Sequence, residues 1–273
     1  HFMNEKTLPY RVVDLPSGRR LVINMLDLPG PTHYMYGLLE VDVTIPRQKI
    51  ESHKAVTGET LSLTGYLTYC LSRAVEENKE VQAYLKGRKQ IVYFDDVDVG
   101  MLIEHIDGEK KALMGHVIKS ANRKTFWEIH QEIRRVQSEP APPGRGMPTW
   151  FRSILLLPRP LYRLVMAVMG LITSRDPTFK VSSGTVFITA VGMFGKGHSG
   201  WGITTTPQSL SLLVGSVAWK PAVIDGRIEP REILNLTIVL DHDVIDGAPA
   251  TRFVHRLVEL IESGSGLNDK DNR

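Results

Sequence analysis

The 273-residue chain has one cysteine, almost no excess charge and no long uninterrupted apolar run. The single Cys70 excludes an internal disulfide, and its position on the apolar side of a predicted helix indicates a buried, unreactive thiol. A reducing, cytoplasmic location is the expectation that fits such a sequence. The net charge of +3, from 33 basic and 30 acidic residues, argues against nucleic acid as a partner.

The most apolar segment, from Trp150 to Ile172, is too interrupted to predict a membrane-spanning helix. Pro158 and Pro160 break it, and three arginines lie within it: Arg152, Arg159 and Arg163. A spanning helix needs about 20 apolar residues without such breaks. Two interpretations stay open, a helix that lies on a membrane surface and a contact with protein, either another subunit or a flap over substrate.

Composition divides the chain into an arm, a main domain and a tail. Residues 1–31 form the N-terminal arm, and residues 32–262 form the main domain, whose 42% hydrophobic content is enough for a substantial core. Within the domain, residues 139–172 combine a proline-rich linker with the apolar segment. Residues 263–273, rich in Gly, Ser, Asn and charge, are expected to form a flexible tail.

Apolar periodicity predicts a sheet covered by helices. Residues 33–43 are apolar in both alternating sets, which is typical of a strand covered on both faces. Helical spacing predicts an amphipathic helix over about 61–78 and another from Thr125, which has the spacing of a capping box with Glu128. Further strands are predicted at residues 90–94, 97–106, 112–119, 184–191, 210–219 and 234–241, with a short hairpin pair around Ile224-Asp-Gly-Arg227 and a tight turn at Asp107-Gly108.

One short run, Leu240-Asp-His-Asp-Val-Ile-Asp-Gly-Ala248, joins a candidate proton carrier to a carboxylate and a glycine. The preceding alternation predicts that a strand ends at Asp241 and displays His242 in a loop, where catalytic side chains are often found. Gly247 is expected to relieve a cramped turn before a helix. A surface histidine without chemistry is the plain alternative. A metal site is disfavoured, because neighbouring strand residues point to opposite faces.

In order, these elements resemble the catalytic domain of the dihydrolipoamide acyltransferase component of the 2-oxoacid dehydrogenase complexes, whose fold is shared with chloramphenicol acetyltransferase. The family's His-x-x-x-Asp-Gly signature is present as His242 to Gly247. The run Gly184-Thr-Val-Phe-Ile-Thr-Ala-Val-Gly-Met-Phe-Gly195 is similar to a family strand whose serine faces the reacting carbonyl, and Thr189 stands at that serine. Weaker matches are residues 40–44, 107–108, 121–125 and 206–209.

The resemblance implies an α/β fold, a two-layer sandwich of a mixed sheet and covering helices, with residues 32–262 as the acyltransferase domain. It implies an enzyme that moves an acyl group between coenzyme A and a dihydrolipoyl-like thiol or another small acceptor. His242 would be the general base, Thr189 the oxyanion donor, and Asp246 an anchor of the turn and of an arginine. The expected assembly is a homotrimer with its site between subunits.

Several features depart from the family pattern. Lipoyl and subunit-binding segments are not found in this sequence, so the lipoyl carrier is expected on another chain. Asp243 replaces a common arginine, and its carboxylate would weaken a base at His242 unless it points away. Ala190 replaces asparagine, and His116 replaces a proline near the coenzyme A channel. The alternatives are therefore an inactive trimeric scaffold and a membrane-docked acyltransferase that acts on a hydrophobic acceptor.

Overall fold

The computed structural model describes residues 33–87, 89–107, 110–138, 149–173, 181–190, 199–204 and 206–267, together with residues 19, 23 and 24. Most of the expected N-terminal arm, the turn at Gly108 and the linker 139–148 lie outside the described residues.

A six-stranded mixed sheet forms the body of the molecule. Its spatial order is β1 (Tyr34–Asp42), β8 (Arg227–Asp241), β7 (Leu210–Ile224), β6 (Val186–Ala190), β4 (Val99–Asp107) and β5 (Lys110–Ile118). Strand β6 runs parallel to both of its neighbours, and the other pairs are antiparallel. A separate two-stranded sheet pairs β2 (Tyr84–Lys86) with β3 (Gln90–Val92).

Four helices share one hydrophobic core with the sheet: α1 (Thr44–Thr57), α2 (Leu63–Glu77), α3 (Phe126–Ser138) and α6 (Gly247–Ser263). Two more helices, α4 (Thr149–Leu155) and α5 (Arg159–Thr173), occupy the apolar segment. The predicted two-layer α/β arrangement is confirmed.

Strand alternation separates the two faces of the sheet. In β6, Val186 and Ile188 are fully buried against the helices, which places Phe187 and Thr189 on the second face. Residues 199–201 contact strands of the sheet, and Asn235 Nδ2 of β8 donates to Ser199 Oγ at 2.7 Å. The Trp201 indole nitrogen donates to the Leu39 carbonyl at 2.9 Å.

Helix α2 is held at its N-terminal end by polar contacts, and the capping box predicted for α3 is present. Ser62 Oγ accepts from the Gly65 N–H at 3.0 Å, and the Tyr66 hydroxyl donates to the Leu260 carbonyl at 2.9 Å near the end of α6. Thr125 N–H donates to Glu128 Oε2 at 2.7 Å, and Glu128 N–H donates back to Thr125 Oγ1 at 3.3 Å.

Cys70 lies in this helical layer and is fully buried. Burial raises the pKa of the Cys70 thiol to about 12, so the thiol stays protonated at neutral pH. The prediction of an unreactive cysteine agrees with this environment.

The structure differs from the sequence-based expectation at β1. That strand lies at the edge of the sheet, and Tyr36 and Leu38 are exposed on its second face. In the part of the chain that the structure describes, the strand is therefore covered on one face only, contrary to the prediction.

The hairpin of β7 and β8 is longer than predicted. Asp225 and Gly226, with φ of 49° and 77°, join the two strands in a tight turn. A bulge between Val214 and Val217 absorbs the register shift, so each strand continues where separate short strands were expected.

The C-terminal boundary also shifts. Helix α6 ends at Ser263, the carbonyl of its C-cap Gly264 accepts from Lys49 Nζ at 3.0 Å, and Leu267 is buried in the core. The tail expected from residue 263 is therefore packed as far as Leu267, and residues 268–273 lie outside the described residues.

Candidate active site

His242 is the first residue after β8, in the turn that leads to α6, as the alternation predicted. The Asp241 carbonyl accepts from the N–H groups of Val244 and Ile245 at 3.2 and 3.1 Å. Ile245 is buried in the core and holds the middle of the turn. The His242 side chain, 47% exposed, is thus displayed to solvent from a fixed backbone.

Asp243 points toward a second histidine. Its Oδ1 lies 2.8 Å from His33 Nδ1, and the His242 N–H donates to the His33 carbonyl at 2.7 Å. The carboxylate that was expected to disturb His242 is therefore engaged by His33. His33 was not singled out from the sequence, because its position follows from the pairing of Tyr34 with Asp241.

Asp246 occupies the N-cap of α6 without a capping hydrogen bond from its side chain. The side chain is 90% exposed, and its Oδ1 lies 4.0 Å from His242 Nδ1. The turn is held instead by Asp241, whose Oδ1 accepts from the Asp243 N–H at 2.9 Å. The expected anchoring of the turn by Asp246 is thus not found in the described part of one chain.

Gly247 does not relieve a steric conflict either. A Cβ built at this position meets no heavy atom within 4 Å. The prediction that Gly247 relieves a cramped turn is therefore wrong for the single chain.

Thr189 is half-buried on the second face of β6. The start of β6 is fixed by a very close approach between the preceding loop and β4. A Cβ added at Gly100 would lie 1.9 Å from the Ser183 carbonyl oxygen, and Gly184 has a φ of 105° that favours glycine. Ala190, the neighbouring departure from the family pattern, packs in part against the core.

Within one chain, the sheet register keeps Thr189 and His242 apart. Thr189 pairs with Leu213, which pairs with Thr237, four residues before Asp241 on β8. At roughly 3.3 Å per residue and 4.8 Å per strand, the backbones of Thr189 and Asp241 are on the order of 16 Å apart. Side chains cannot bridge that distance to a shared reacting carbon.

His116 is already engaged between β5 and α3. Its Nε2 lies 2.8 Å from Glu132 Oε1, and Lys124 Nζ donates to Glu132 Oε2 at 2.6 Å. Burial alone would raise the pKa of Glu132, but the hydrogen bonds from His116 and Lys124 outweigh it and lower that pKa to about 2. This arrangement gives His116 a structural role in joining a strand to a helix.

Residues 29–141 and 177–267 match the family model described as 2-oxoacid dehydrogenases acyltransferase (catalytic domain). The chain belongs to this family. The match leaves out residues 142–176, so α4 and α5 lie in a segment that the family model does not cover.

Curated relatives include acyltransferase components of 2-oxoacid dehydrogenase complexes. The lipoamide acyltransferase component of the branched-chain alpha-keto acid dehydrogenase complex of Bacillus subtilis is 27% identical over 235 residues, which cover 84% of this chain and 47% of that protein. A dihydrolipoyllysine-residue succinyltransferase component of Bartonella vinsonii is 27% identical over 213 residues, 77% of this chain and 42% of that protein. The chain spans about half the length of these relatives or less.

Solved structures share the fold. A probable dihydrolipoamide acetyltransferase of Listeria monocytogenes has a TM-score of 0.64 at 19% identity and covers 94% of this chain and 96% of its own. A dihydrolipoamide acetyltransferase of Azotobacter vinelandii has a TM-score of 0.65 at 17% identity, with 92% of each chain covered. That structure was studied for the roles of one serine, one histidine and one asparagine in catalysis. Chloramphenicol acetyltransferase has a TM-score of 0.51 at 16% identity and covers 91% of this chain and 96% of its own.

Proposed function

We propose that the protein is a coenzyme A-dependent acyltransferase with His242 as its general base. The observation that carries the proposal is the position of His242 at the end of β8, with the neighbouring Asp243 carboxylate held by His33 at 2.8 Å. The His242 side chain stays about half exposed to solvent. The chain that carries it belongs to an acyltransferase family.

The proposed reaction moves one proton from the attacking thiol to His242 and then from His242 to the leaving sulfur. A thiol with an ordinary pKa near 8.5 is mostly protonated at neutral pH, so His242 accepts its proton as the sulfur attacks the acyl carbonyl. The tetrahedral intermediate then collapses, the bond to the coenzyme A sulfur breaks, and the imidazolium returns the proton to that sulfur. General-base catalysis of this kind contributes about 10²- to 10⁴-fold.

Thr189 supplies the hydroxyl that stabilises the oxyanion, and it does so from a neighbouring chain. Because the two groups are on the order of 16 Å apart within one chain, we infer a homotrimer in which His242 of one subunit faces Thr189 of the next. The spacing in the Azotobacter protein supports the pairing. Its serine precedes its histidine by 52 positions, while Thr189 precedes His242 by 53.

Asp246 has a further role in the proposal. The asparagine of the Azotobacter protein follows its histidine by four positions, as Asp246 follows His242. With Oδ1 at 4.0 Å from His242 Nδ1 and most of its surface exposed, Asp246 is placed to orient the ring or to meet the next subunit. Asp246 is therefore proposed as a positioning residue of the site.

The proposed acceptor is a dihydrolipoyl-like thiol or another small thiol. The relatives are themselves named as a lipoamide acyltransferase and a dihydrolipoyllysine-residue succinyltransferase. A reducing, cytoplasmic location accords with such a thiol, which must stay reduced to react.

The test compares wild type with His242→Ala in acyl transfer from acyl-coenzyme A to dihydrolipoamide, and to panels of hydroxyls and amines. The expected loss in kcat/KM is about 10²-fold or more, with coenzyme A binding retained in calorimetry. His255→Ala, at an exposed histidine of α6, is the matched control and keeps its rate. Equal rates for His242→Ala and wild type would remove the general-base assignment, and a trimer without coenzyme A binding would favour the inactive scaffold.

A further inference from the structure

His33 contacts the turn of the proposed site at two points. Its carbonyl accepts from the His242 N–H at 2.7 Å, and its Nδ1 lies 2.8 Å from Asp243 Oδ1. An ionised carboxylate only accepts hydrogen bonds, so the proton of this contact is on His33 Nδ1. His33 therefore holds both the residue proposed as the base and the residue that follows it.

The backbone of His33 is fixed independently of its side chain. Tyr34, the next residue, pairs with Asp241 where β1 meets β8, and the Tyr34 hydroxyl donates to the Thr206 carbonyl at 3.0 Å. The contact of the His33 carbonyl with the His242 N–H continues this pairing by one residue. A substitution at His33 therefore removes the imidazole and leaves the backbone contact in place.

The ion pair of His33 with Asp243 lies at the surface. The His33 side chain is 84% exposed and the Asp243 side chain 36% exposed. Exposed ion pairs add little to stability, because water solvates both partners well. The fold does not depend on this contact. Its main consequence is the direction in which a negative charge beside His242 points.

Only the side-chain rotation of Asp243 decides that direction. Its backbone is held in the turn, since the Asp243 N–H donates to Asp241 Oδ1 at 2.9 Å. Another carboxylate is already near the ring, with Asp246 Oδ1 at 4.0 Å from His242 Nδ1. A second carboxylate there would favour the imidazolium, which is unable to accept a proton. The contact with His33 keeps Asp243 from joining Asp246 at the ring.

We propose that His33 is a positioning residue of the site, which keeps the Asp243 carboxylate away from His242. The imidazole of His242 then remains uncharged and able to accept the proton of the attacking thiol. This inference rests on the proposed function of His242 as the general base. It assigns to Asp243 an inhibitory effect that appears only when the His33 side chain is removed.

A double-mutant cycle tests the proposal. His33→Ala is made in the wild type and in Asp243→Asn, and kcat/KM for acyl transfer to dihydrolipoamide is measured at about pH 6, where the uncharged fraction of a histidine limits the rate. We expect a loss of about fourfold in the wild type, the effect of one nearby exposed charge. In Asp243→Asn the loss should stay below twofold, because no carboxylate is left for His33 to hold.

Two further variants separate positioning from a general surface effect. His33→Asn keeps an N–H donor near the position of Nδ1 and should recover most of the rate that His33→Ala loses. Lys79→Ala removes another exposed ion pair, with Asp95 at 3.4 Å, and should keep the wild-type rate. Thermal unfolding should show the same Tm for all variants within about 2 °C.

Chemical modification tests the role of His33 without any acyl transfer. Diethylpyrocarbonate reacts with the uncharged imidazole, and mass spectrometry of the peptide that contains His242 measures the rate. At about pH 6, His33→Ala should slow this reaction about fourfold in the wild type and less than twofold in Asp243→Asn. A wild type that transfers no acyl group would refute the proposed function and leave this measurement valid.

Two results would overturn the proposal. One is an equal loss of kcat/KM on His33→Ala in the two backgrounds, which would mean that His33 does not act through Asp243. The other is a rate of His242 modification that is the same with and without the His33 side chain.

Discussion

The chemical character of His242 depends on where a neighbouring carboxylate points. Asp243 stands where the resemblance implies an arginine, and a carboxylate aimed at the imidazole would favour its charged form. In the structure, Asp243 Oδ1 is bound by His33 Nδ1 at 2.8 Å, and the His33 carbonyl also accepts from the His242 N–H. His33, which precedes β1, thus holds the Asp243 carboxylate that follows β8.

The Thr189 hydroxyl is proposed to stabilise the oxyanion from a neighbouring subunit. Thr189→Val keeps the shape of the side chain and removes the donor, so kcat should fall about 10²- to 10³-fold with little change in the KM for acyl-coenzyme A. Thr189→Ser keeps the hydroxyl and should stay within about tenfold of wild type. Steady-state kinetics measure both variants. A valine variant with the wild-type kcat would show that the oxyanion is stabilised by another group.

At the scale of elements, the close approach of a loop to β4 positions the strand that carries Thr189. Gly100→Ala would place a methyl group 1.9 Å from the Ser183 carbonyl oxygen, a backbone atom that cannot move without displacing β6. We expect a loss of about 3 kcal/mol in the free energy of unfolding.

Gly115→Ala is the control for this prediction, since it lies on the neighbouring strand β5 and its Cβ would meet no heavy atom within 4 Å. Its effect should stay within about 0.5 kcal/mol. Urea unfolding measures both variants, and equal midpoints would contradict the packing argument.

The cluster of Glu132, His116 and Lys124 predicts a dependence of stability on pH. The folded pKa of Glu132, about 2, lies below its ordinary value of 4.5, so the stabilisation is complete above pH 4.5 and is lost as pH falls toward 2. A shift of this size corresponds to roughly 3 kcal/mol. Glu132→Gln should therefore be less stable than wild type at pH 7, and the two curves should converge near pH 2.

Urea unfolding between about pH 2 and 7 tests this prediction. Glu51→Gln, at an exposed position of α1, serves as the control and should follow wild type across the range. Curves for wild type and Glu132→Gln that stay parallel would show that the pKa of Glu132 is not lowered by folding.

Local signals in the sequence predict elements well and contacts poorly. The capping box at Thr125 and the strand end before His242 depend on residues a few positions apart, and both are present in the structure. The contact of His33 with Asp243 joins residues 210 positions apart and depends on the register of β1 with β8. The role expected of Gly247 failed for the same reason, because steric space around a turn is set by tertiary packing.

At the scale of the whole molecule, the proposed site is incomplete in one chain. The sheet keeps Thr189 and the end of β8 before His242 on the order of 16 Å apart, so the proposed reaction needs these two groups from two different subunits. The exposed Tyr36 and Leu38 on the second face of β1 show apolar surface that a neighbouring subunit is able to cover. Assembly and activity should therefore be lost together on dilution.

The most direct measurement mixes two inactive variants, His242→Ala and Thr189→Val, by joint expression. If every site pairs His242 of one subunit with Thr189 of the next, random assembly leaves both groups intact at about one quarter of the sites. The mixed protein should then recover about a quarter of the wild-type kcat, while each variant alone stays inactive. Mixed assemblies that are as inactive as the separate variants would contradict a site shared between subunits.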